Sequence, residues 1–200
     1  MKSTLGLDVH SSELQRSGRA ETSSPHVVTR LDPILQKLAL AQTRFLSTAD
    51  SVRADRWQTR PKSGGWSAGE LVAHHIMVER TVLRSADRVM QHAPRHVPLL
   101  KRFHLPLALV EARLIRRKTP IPLDPQLVRE KETMLAELRE IRERTLAFVD
   151  ETKGRDLSKY RWRHAFLGML NMYEWLQMIA CHEIRHEKQL QEIANSYRKP

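Results

Sequence analysis

Two histidines stand four residues apart in the segment His182-Glu183-Ile184-Arg185-His186. The surrounding residues have the spacing of a long helix, in which one turn places such a pair on the same face. Neutral imidazole is a common ligand for Zn, Fe, Ni and Cu, and three protein nitrogens with an open position are typical of a catalytic metal site. The segment therefore predicts half of a metal site and leaves a third ligand to be found.

The same segment matches the zincin motif H-E-x-x-H, in which the glutamate is the general base of a metalloprotease. The charged side chains of Arg185 and Glu187 argue against that interpretation, because a zinc helix in a protease core is expected to be uncharged there. The longer metzincin motif needs Gly and His where this chain has Gln189 and Glu192. Too little chain follows His186 for another ligand helix, so the third ligand is expected upstream.

A second helix with a marked beginning lies upstream. Ser67 and Glu70 have the spacing of a capping box, and Trp66 precedes them in the staple position. The helix is predicted to run to about Gln91. Trp66 and Trp175 are interpreted as core anchors or staple residues.

His74 is the upstream histidine that best fits a ligand. It shares an apolar stripe of the second helix with Leu71, Val78 and Val82, which points it into the core. His75, by contrast, leans towards Glu79. Five histidines in polar or Arg/Pro-rich segments are predicted to be surface residues: His10, His26, His92, His96 and His104.

Two segments together resemble one protein family. The first has the pattern Trp66-Ser67-x-x-Glu70, with His74 eight residues after the tryptophan and Glu79 five further on. The second runs from His164-Ala165-Phe166-Leu167-Gly168-Met169-Leu170-Asn171 through Glu174-Trp175 to His182-Glu183-x-Arg185-His186-x-x-Gln189. They resemble the second and final helices of the DinB-like superfamily of metal-binding four-helix bundles. The likeness spans roughly residues 30–197.

The resemblance implies a metal triad at His74, His182 and His186. The implied cofactor is a divalent ion, and Zn, Ni, Fe and Mn all stay open. Characterised relatives include transferases and isomerases that use low-molecular-weight thiols, and bundles of this family often pair as homodimers. One departure is Ala165, where many relatives have Pro.

The composition favours a single helical domain. A chain of 200 residues suits one domain, and seven glycines are few for an all-β or doubly wound protein. One cysteine excludes an intramolecular disulfide framework, and no apolar run approaches the length of a membrane span. The first residues lack the apolar region of a secretory signal, so a cytoplasmic location is expected.

The apolar spacing divides the chain into a tail, a helix, a linker and three further helices. Residues 1–29 lack helical spacing, which predicts a mobile polar tail before a domain at residues 30–200. The first helix is predicted to end near Val52. Its inward residues are Leu31, Ile34, Leu35, Leu38, Phe45 and Leu46.

A long connection separates the second and third helices. Residues 92–124 contain five prolines, which suits an all-α four-helix bundle with a crossover rather than tight hairpins. Asp124 and Pro125 are predicted to cap the third helix, and Asn171 with Glu174 the fourth. The inner stripe of the third helix is Leu127, Met134, Leu138, Ile141, Thr145 and Phe148.

Three residues near the site have competing interpretations. His164 is either a proton carrier at the mouth of the pocket or a satisfied loop residue. Cys181 is predicted to be a small buried residue rather than a ligand or nucleophile. Glu183 points about a hundred degrees away from His182 on a helix, so pairing with Arg185 or another helix is favoured over a role as base.

The chain is strongly basic, with a net charge of +11 and a pI near 10.3. A basic helical piece is predicted between Leu107 and Lys118, where it is typical of a solvated face and also suits an acidic partner. No DNA- or RNA-binding motif accompanies the charge, so specific nucleic-acid binding is not expected. Much of the excess lies in Arg95, Lys101, Arg102, Arg113, Arg116, Arg117 and Lys118.

Two functional hypotheses follow. In the first, the resemblance implies an enzyme whose ion activates water or a thiol for hydrolysis or thiol transfer on a small-molecule substrate. In the second, the protein is a non-catalytic metal-binding or stress-response protein that engages an acidic partner. The catalytic residues stay unassigned in both.

Overall fold

The computed structural model describes residues 25–62, 64–94, 96–112 and 127–197, with side chains from Arg30 onwards. These residues are mostly helical, in agreement with the all-α prediction. The helices are α1 (Pro25–Asp50), α2 (Ala68–Met90), the short α3 (Ala108–Glu111), α4 (Lys131–Glu151) and α5 (Met172–Ser196). Two strands, β1 (Arg161–His164) and β2 (Gly168–Asn171), precede α5, and short 3-10 turns lie at Ala54–Arg56, Leu99–Arg102 and Leu157–Lys159.

The two predicted capping boxes are both confirmed. At the start of α2, Ser67 Oγ accepts from the Glu70 amide at 3.2 Å, and Glu70 Oε2 accepts from the Ser67 amide at 2.8 Å. At the start of α5, Asn171 and Glu174 exchange equivalent bonds of 3.0 and 2.7 Å. Each cap satisfies two backbone N–H groups that the helix leaves unpaired. These caps fix where the two histidine-bearing helices begin.

The core lies between the four long helices. Helix α1 packs along α5, and α2 packs against both α4 and α5. The inward positions predicted for the first helix are buried or partly buried, and those of the third are buried except Leu127. Because α2 and α5 are neighbours, the inward faces of these helices bring the histidines together.

One guanidinium joins all four long helices. Arg142 on α4 is 2% exposed and donates to the Leu38 carbonyl of α1 at 2.8 Å. It also donates to Glu79 on α2 at 2.8 Å and to Glu183 on α5 at 2.9 Å. Both carboxylates are fully buried, so the ion cluster lies inside the core. Loss of one partner would leave an uncompensated buried charge.

The first helix begins earlier than the apolar spacing predicts. Its backbone is helical from Pro25, so the boundary drawn at residue 30 falls inside α1. The apolar stripe starts only at Leu31, and a helix can extend beyond its buried stripe. Residues 1–24, the larger part of the predicted tail, lie outside the described residues.

The predicted beginning of the third helix is wrong. The corresponding helix α4 starts at Lys131 after Glu130, and Leu127 is 42% exposed instead of lying in the inner stripe. The Trp57 indole donates to the Arg129 carbonyl at 3.0 Å, which holds the preceding backbone outside the helix. Asp124 and Pro125, the predicted cap, lie outside the described residues.

The two-stranded sheet was not predicted. Strands β1 and β2 pair antiparallel, with Trp162 opposite Leu170. A distant segment also reaches β2, because the Met169 amide donates to the Phe103 carbonyl at 3.4 Å. Gly168 has a φ of +101°, a conformation that suits glycine. The hairpin leads directly into the cap of α5 at Asn171.

Several apolar side chains before α3 are exposed. Leu99, Leu100 and Phe103 are 78%, 95% and 76% exposed. Arg95 and the second half of the predicted basic helical piece, residues 113–118, fall outside the described residues. Within the described ranges, no helix combines the length and apolarity needed to cross a bilayer.

Candidate metal centre

Three imidazoles converge between α2 and α5. His182 and His186 lie one turn apart on α5, as predicted, and His74 faces them from α2. The Nε2 atom of His182 is 3.2 Å from that of His74 and 3.0 Å from that of His186. One ligand nitrogen from each ring lies within 4.8 Å of the others, so the three residues could together hold a metal ion.

The spacing of these nitrogens fits a shared ion. Imidazole nitrogens that bind one ion at about 2.0–2.1 Å lie about 2.9–3.4 Å apart for bond angles between 90° and the tetrahedral value. Burial lowers the pKa of His74 to about 4, and burial also holds the pKa of His182 well below its ordinary range. Both rings are therefore neutral at physiological pH and can present a lone pair.

In two of the three rings, the Nδ1 atom, which faces away from the converging Nε2 atoms, lies beside a partner of the kind that orients a metal-bound histidine. His186 Nδ1 is hydrogen-bonded to Gln189 Oε1. Because an amide oxygen only accepts, Nδ1 of His186 carries a proton, and Nε2 is the nitrogen that can bind an ion. His182 Nδ1 lies 3.3 Å from Nδ1 of His75. His74 Nδ1 is buried without a hydrogen-bond partner among the described residues.

Trp66 lies against two of the candidate ligands. Its ring centroid is 4.9 Å from that of His74 and 6.4 Å from that of His186. The sequence predicted only a staple or core anchor at this position. The indole therefore forms part of the wall of the site as well as preceding the cap of α2.

The prediction that His75 leans away from the site is only half right. Its Nε2 does lie 3.7 Å from Glu79 Oε2, but the ring is fully buried and contacts His182. Two consecutive histidines reach the interior because α2 is covered by both α4 and α5. Burial, followed by the positive charge of Arg142, holds the pKa of His75 well below its ordinary range.

Glu183 pairs with another helix, as the sequence favoured. Its Oε2 accepts from Arg142, and its Oε1 lies 3.5 Å from His75 Nε2. Burial raises the pKa of this carboxyl to about 7, and the guanidinium of Arg142 opposes that shift. The carboxylate faces the ion cluster rather than the three converging nitrogens, which does not suit the zincin role of general base.

His164 and Cys181 lie outside the triad. His164 Nδ1 accepts from the backbone amides of Phe166 and Leu167, both at 3.1 Å, which matches the satisfied loop residue. Cys181 is 2% exposed, and burial raises the pKa of its thiol to about 11. The Lys37 ammonium lies 3.4 Å from the sulfur.

The sequence interpretation missed the ion cluster behind His182. Arg142 falls on the inner stripe of α4, between Leu138 and Thr145, and a charged residue inside an apolar stripe signals a buried ion pair. His75 and Glu79 also have the i,i+4 spacing of facing helix residues. The tertiary partners of these residues are not encoded in local spacing.

Comparison with known proteins identifies relatives of the chain. The family model of the DinB superfamily matches residues 37–190. The chain is also similar to YuaE, an uncharacterized protein of Bacillus subtilis (strain 168), with 25% identity over 141 residues that cover 70% of this chain and 83% of YuaE. No solved structure matches the chain. Since the family match spans most of the sequence and contains all three converging histidines, the chain belongs to the DinB superfamily.

Proposed function

We propose that His74, His182 and His186 bind a divalent metal ion and that the protein is a metal-dependent enzyme. The observation that carries this proposal is the convergence of three imidazole Nε2 atoms, with separations of 3.0 and 3.2 Å from the central one. Three histidine ligands leave coordination positions for water or substrate, which is the arrangement of catalytic rather than structural sites.

A bound ion would lower the pKa of a coordinated water or small thiol and so provide a nucleophile at neutral pH. The chain itself supplies the imidazole nitrogens that would bind the ion and holds their rings in position. Gln189 keeps the proton of His186 on Nδ1, and Trp66 limits solvent on one side of the rings. Hydrolysis and thiol transfer share this first requirement, so both reaction classes belong to the proposal. The substrate is a small molecule, with a low-molecular-weight thiol as the candidate co-substrate.

The alternative is a non-catalytic metal-binding or stress-response protein that engages an acidic partner. The near-complete burial of two ligands favours it, because His74 and His186 are only 5% and 6% exposed. The net charge of +11 suits an acidic partner. Cobalt-substituted protein titrated with 2-mercaptoethanol separates the two. A thiolate-to-cobalt absorption band supports the enzyme, and an unchanged spectrum supports the alternative.

Replacing the ligands one at a time tests the metal site. His74→Ala, His182→Ala and His186→Ala should each weaken metal binding by more than the about 10–100-fold typical of losing a ligand's hydrogen-bond partner. His92→Ala serves as the control, because its histidine is exposed and remote from the site. Metal content is measured on protein purified without a histidine tag. Unchanged content in all three ligand variants would refute the assignment.

Two proposals concern the architecture and assembly. The four long helices form a four-helix bundle, with the connection between α2 and α4 as its crossover. The protein is a homodimer, supported by the family resemblance and by the exposed Leu99, Leu100 and Phe103, which need cover. Sedimentation over a range of concentrations tests the dimer, and a monomer at every concentration would remove it. A cytoplasmic location stays a prediction from the sequence.

A further inference from the structure

We propose that His75 is a positioning residue for the metal ligand His182, and that the cluster of Glu79, Arg142 and Glu183 sets which ring nitrogen of His75 carries the proton. The inference rests on the metal site proposed above. It assigns a role to a histidine that lies outside the triad, and to an ion cluster that would otherwise serve only to join helices.

The contact between the two imidazoles is direct. Nδ1 of His75 lies 3.3 Å from Nδ1 of His182, on the opposite side of that ring from the converging Nε2 atoms. The His75 ring is enclosed, with Phe45 at a centroid distance of 5.1 Å. Packing therefore fixes the position of the His75 ring, which contacts His182 from within the core.

The chemistry of imidazole orders the protons along this contact. A ring nitrogen that gives its lone pair to an ion carries no proton, so neutral His182 must carry its proton on Nδ1. That proton points at Nδ1 of His75, which must then accept. The proton of neutral His75 consequently sits on Nε2. This order is the only one in which both rings are neutral, bonded to each other and compatible with an ion at His182 Nε2.

Two carboxylates lie near Nε2 of His75, on the side of the ring away from His182. Its Nε2 lies 3.5 Å from Glu183 Oε1 and 3.7 Å from Glu79 Oε2. His75 Nε2 and Glu183 Oε1 have no hydrogen-bond partner among the described residues, so each is the other's nearest available complement. An N–H directed at carboxylate oxygens is favoured over a lone pair directed at them. When both acids are ionised, the acidic side of the cluster thus selects the Nε2–H form of His75.

Arg142 holds both carboxylates in place. Its Nε and Nη2 atoms donate to Glu79 at 2.8 and 3.2 Å, and Nη2 also donates to Glu183 at 2.9 Å. Thr145 adds a bond of 2.6 Å to Glu79. Two carboxylates and one guanidinium leave one net negative charge when both acids are ionised. That charge lies behind the three imidazole ligands and complements a bound cation.

A helix-joining role alone makes a different prediction. A cluster that only clips helices together would change stability when His75 is replaced, but it would leave the affinity of the folded protein for metal unchanged. Hydrogen-bond partners of metal-bound histidines typically change affinity by about 10–100-fold. Metal affinity and ring tautomer therefore separate the two roles.

Three substitutions of His75 test the contributions of its two ring nitrogens separately. The amide oxygen of His75→Asn can replace Nδ1 as acceptor for His182, whereas the amide of His75→Gln takes the place of Nε2. His75→Leu removes both. We expect zinc affinity, measured by competition with a chromophoric chelator, to fall about 10–100-fold in the Leu and Gln variants and only a few-fold in the Asn variant.

A core truncation away from the cluster provides the matched control. Leu138→Ala removes a fully buried side chain of α4 and destabilises the protein without removing a hydrogen-bonding side chain of the cluster. Its folded form should bind zinc as tightly as the unmodified protein. An equal loss of affinity in Leu138→Ala and His75→Leu would assign the effect to stability and overturn the proposal.

The ring tautomer of His75 gives a second test that needs no variant. Nitrogen-15 spectra of zinc-loaded protein, at a pH where imidazole is neutral and both acids are ionised, should show His75 protonated on Nε2 and unprotonated on Nδ1. A His75 protonated on Nδ1 in zinc-loaded protein would overturn the positioning role while leaving the metal site intact. Protein that takes up no zinc would instead refute the metal site on which the positioning role rests.

Discussion

At the scale of single residues, His182 connects the two parts of the site. Its Nε2 faces His74 and His186, and its Nδ1 faces His75. A histidine used at both nitrogens is held in one tautomer and one orientation, which is what a metal ligand requires. The adjacent residues on α5, Cys181 and Glu183, are buried, so His182 is enclosed by the core on its inner side.

Cys181 should be unreactive in the folded protein. Burial raises the pKa of its thiol from 9.0 to about 11, and the thiolate is the reactive form. Since the folded state keeps the proton to a higher pH than the unfolded chain, ionisation of this group lowers stability as the pH rises from about 9 towards 11. Mass spectrometry after treatment with iodoacetamide at neutral pH should find the thiol unmodified until denaturant is added.

The denatured chain is the control for that measurement, because it exposes the same cysteine without its surroundings. If the folded protein were alkylated as fast as the denatured chain, Cys181 would not be buried in the folded protein in solution. The nucleophile alternative would then regain support.

At the scale of secondary structure, the hairpin before α5 depends on Gly168. A Cβ atom there would lie 2.6 Å from the Phe103 carbonyl oxygen, and the backbone has a φ of +101°. Gly64 has a φ of +82° but no atom within 4 Å of an added Cβ. Gly64→Ala should therefore cost only backbone strain, about 1–2 kcal/mol, whereas Gly168→Ala should cost about 2–4 kcal/mol because the neighbouring chain must also move.

Denaturant unfolding of the two glycine variants measures that difference. Equal stabilities would mean that the segment at Phe103 does not pack against β2. A loss confined to Gly168→Ala would instead place the hairpin contact among the determinants of stability.

The elements that could be predicted from sequence are those fixed by local rules. Helices α2 and α5 carry their own capping boxes and apolar stripes. The sequence therefore correctly predicted that one helix begins after Ser67 and the other after Asn171. The start of α4 and the hairpin depend on distant contacts, namely Trp57 with Arg129 and the segment at Phe103 with β2. Local spacing contains no signal for either contact.

At the scale of the whole molecule, the same division applies to the site. The pair on α5 follows from helical spacing, and His74 follows from an apolar stripe together with the family resemblance. The environment of His75 could not be predicted in this way, because residues of α2, α4 and α5 assemble it around Arg142. Arg142 also donates to the Leu38 carbonyl of α1. The cluster links the stability of the helices to the geometry of the proposed ligands.

The metal content of the purified protein tests the central claim most directly. Protein prepared without a histidine tag should retain a divalent ion, or take one up from Zn, Ni, Fe or Mn salts, and His186→Ala should not. Because the ion binds the folded state, adding it to chelator-treated protein at about 100 times its Kd should stabilise the fold by about 2.7 kcal/mol. Protein that binds none of these ions, or binds them equally well after His186→Ala, would contradict the account.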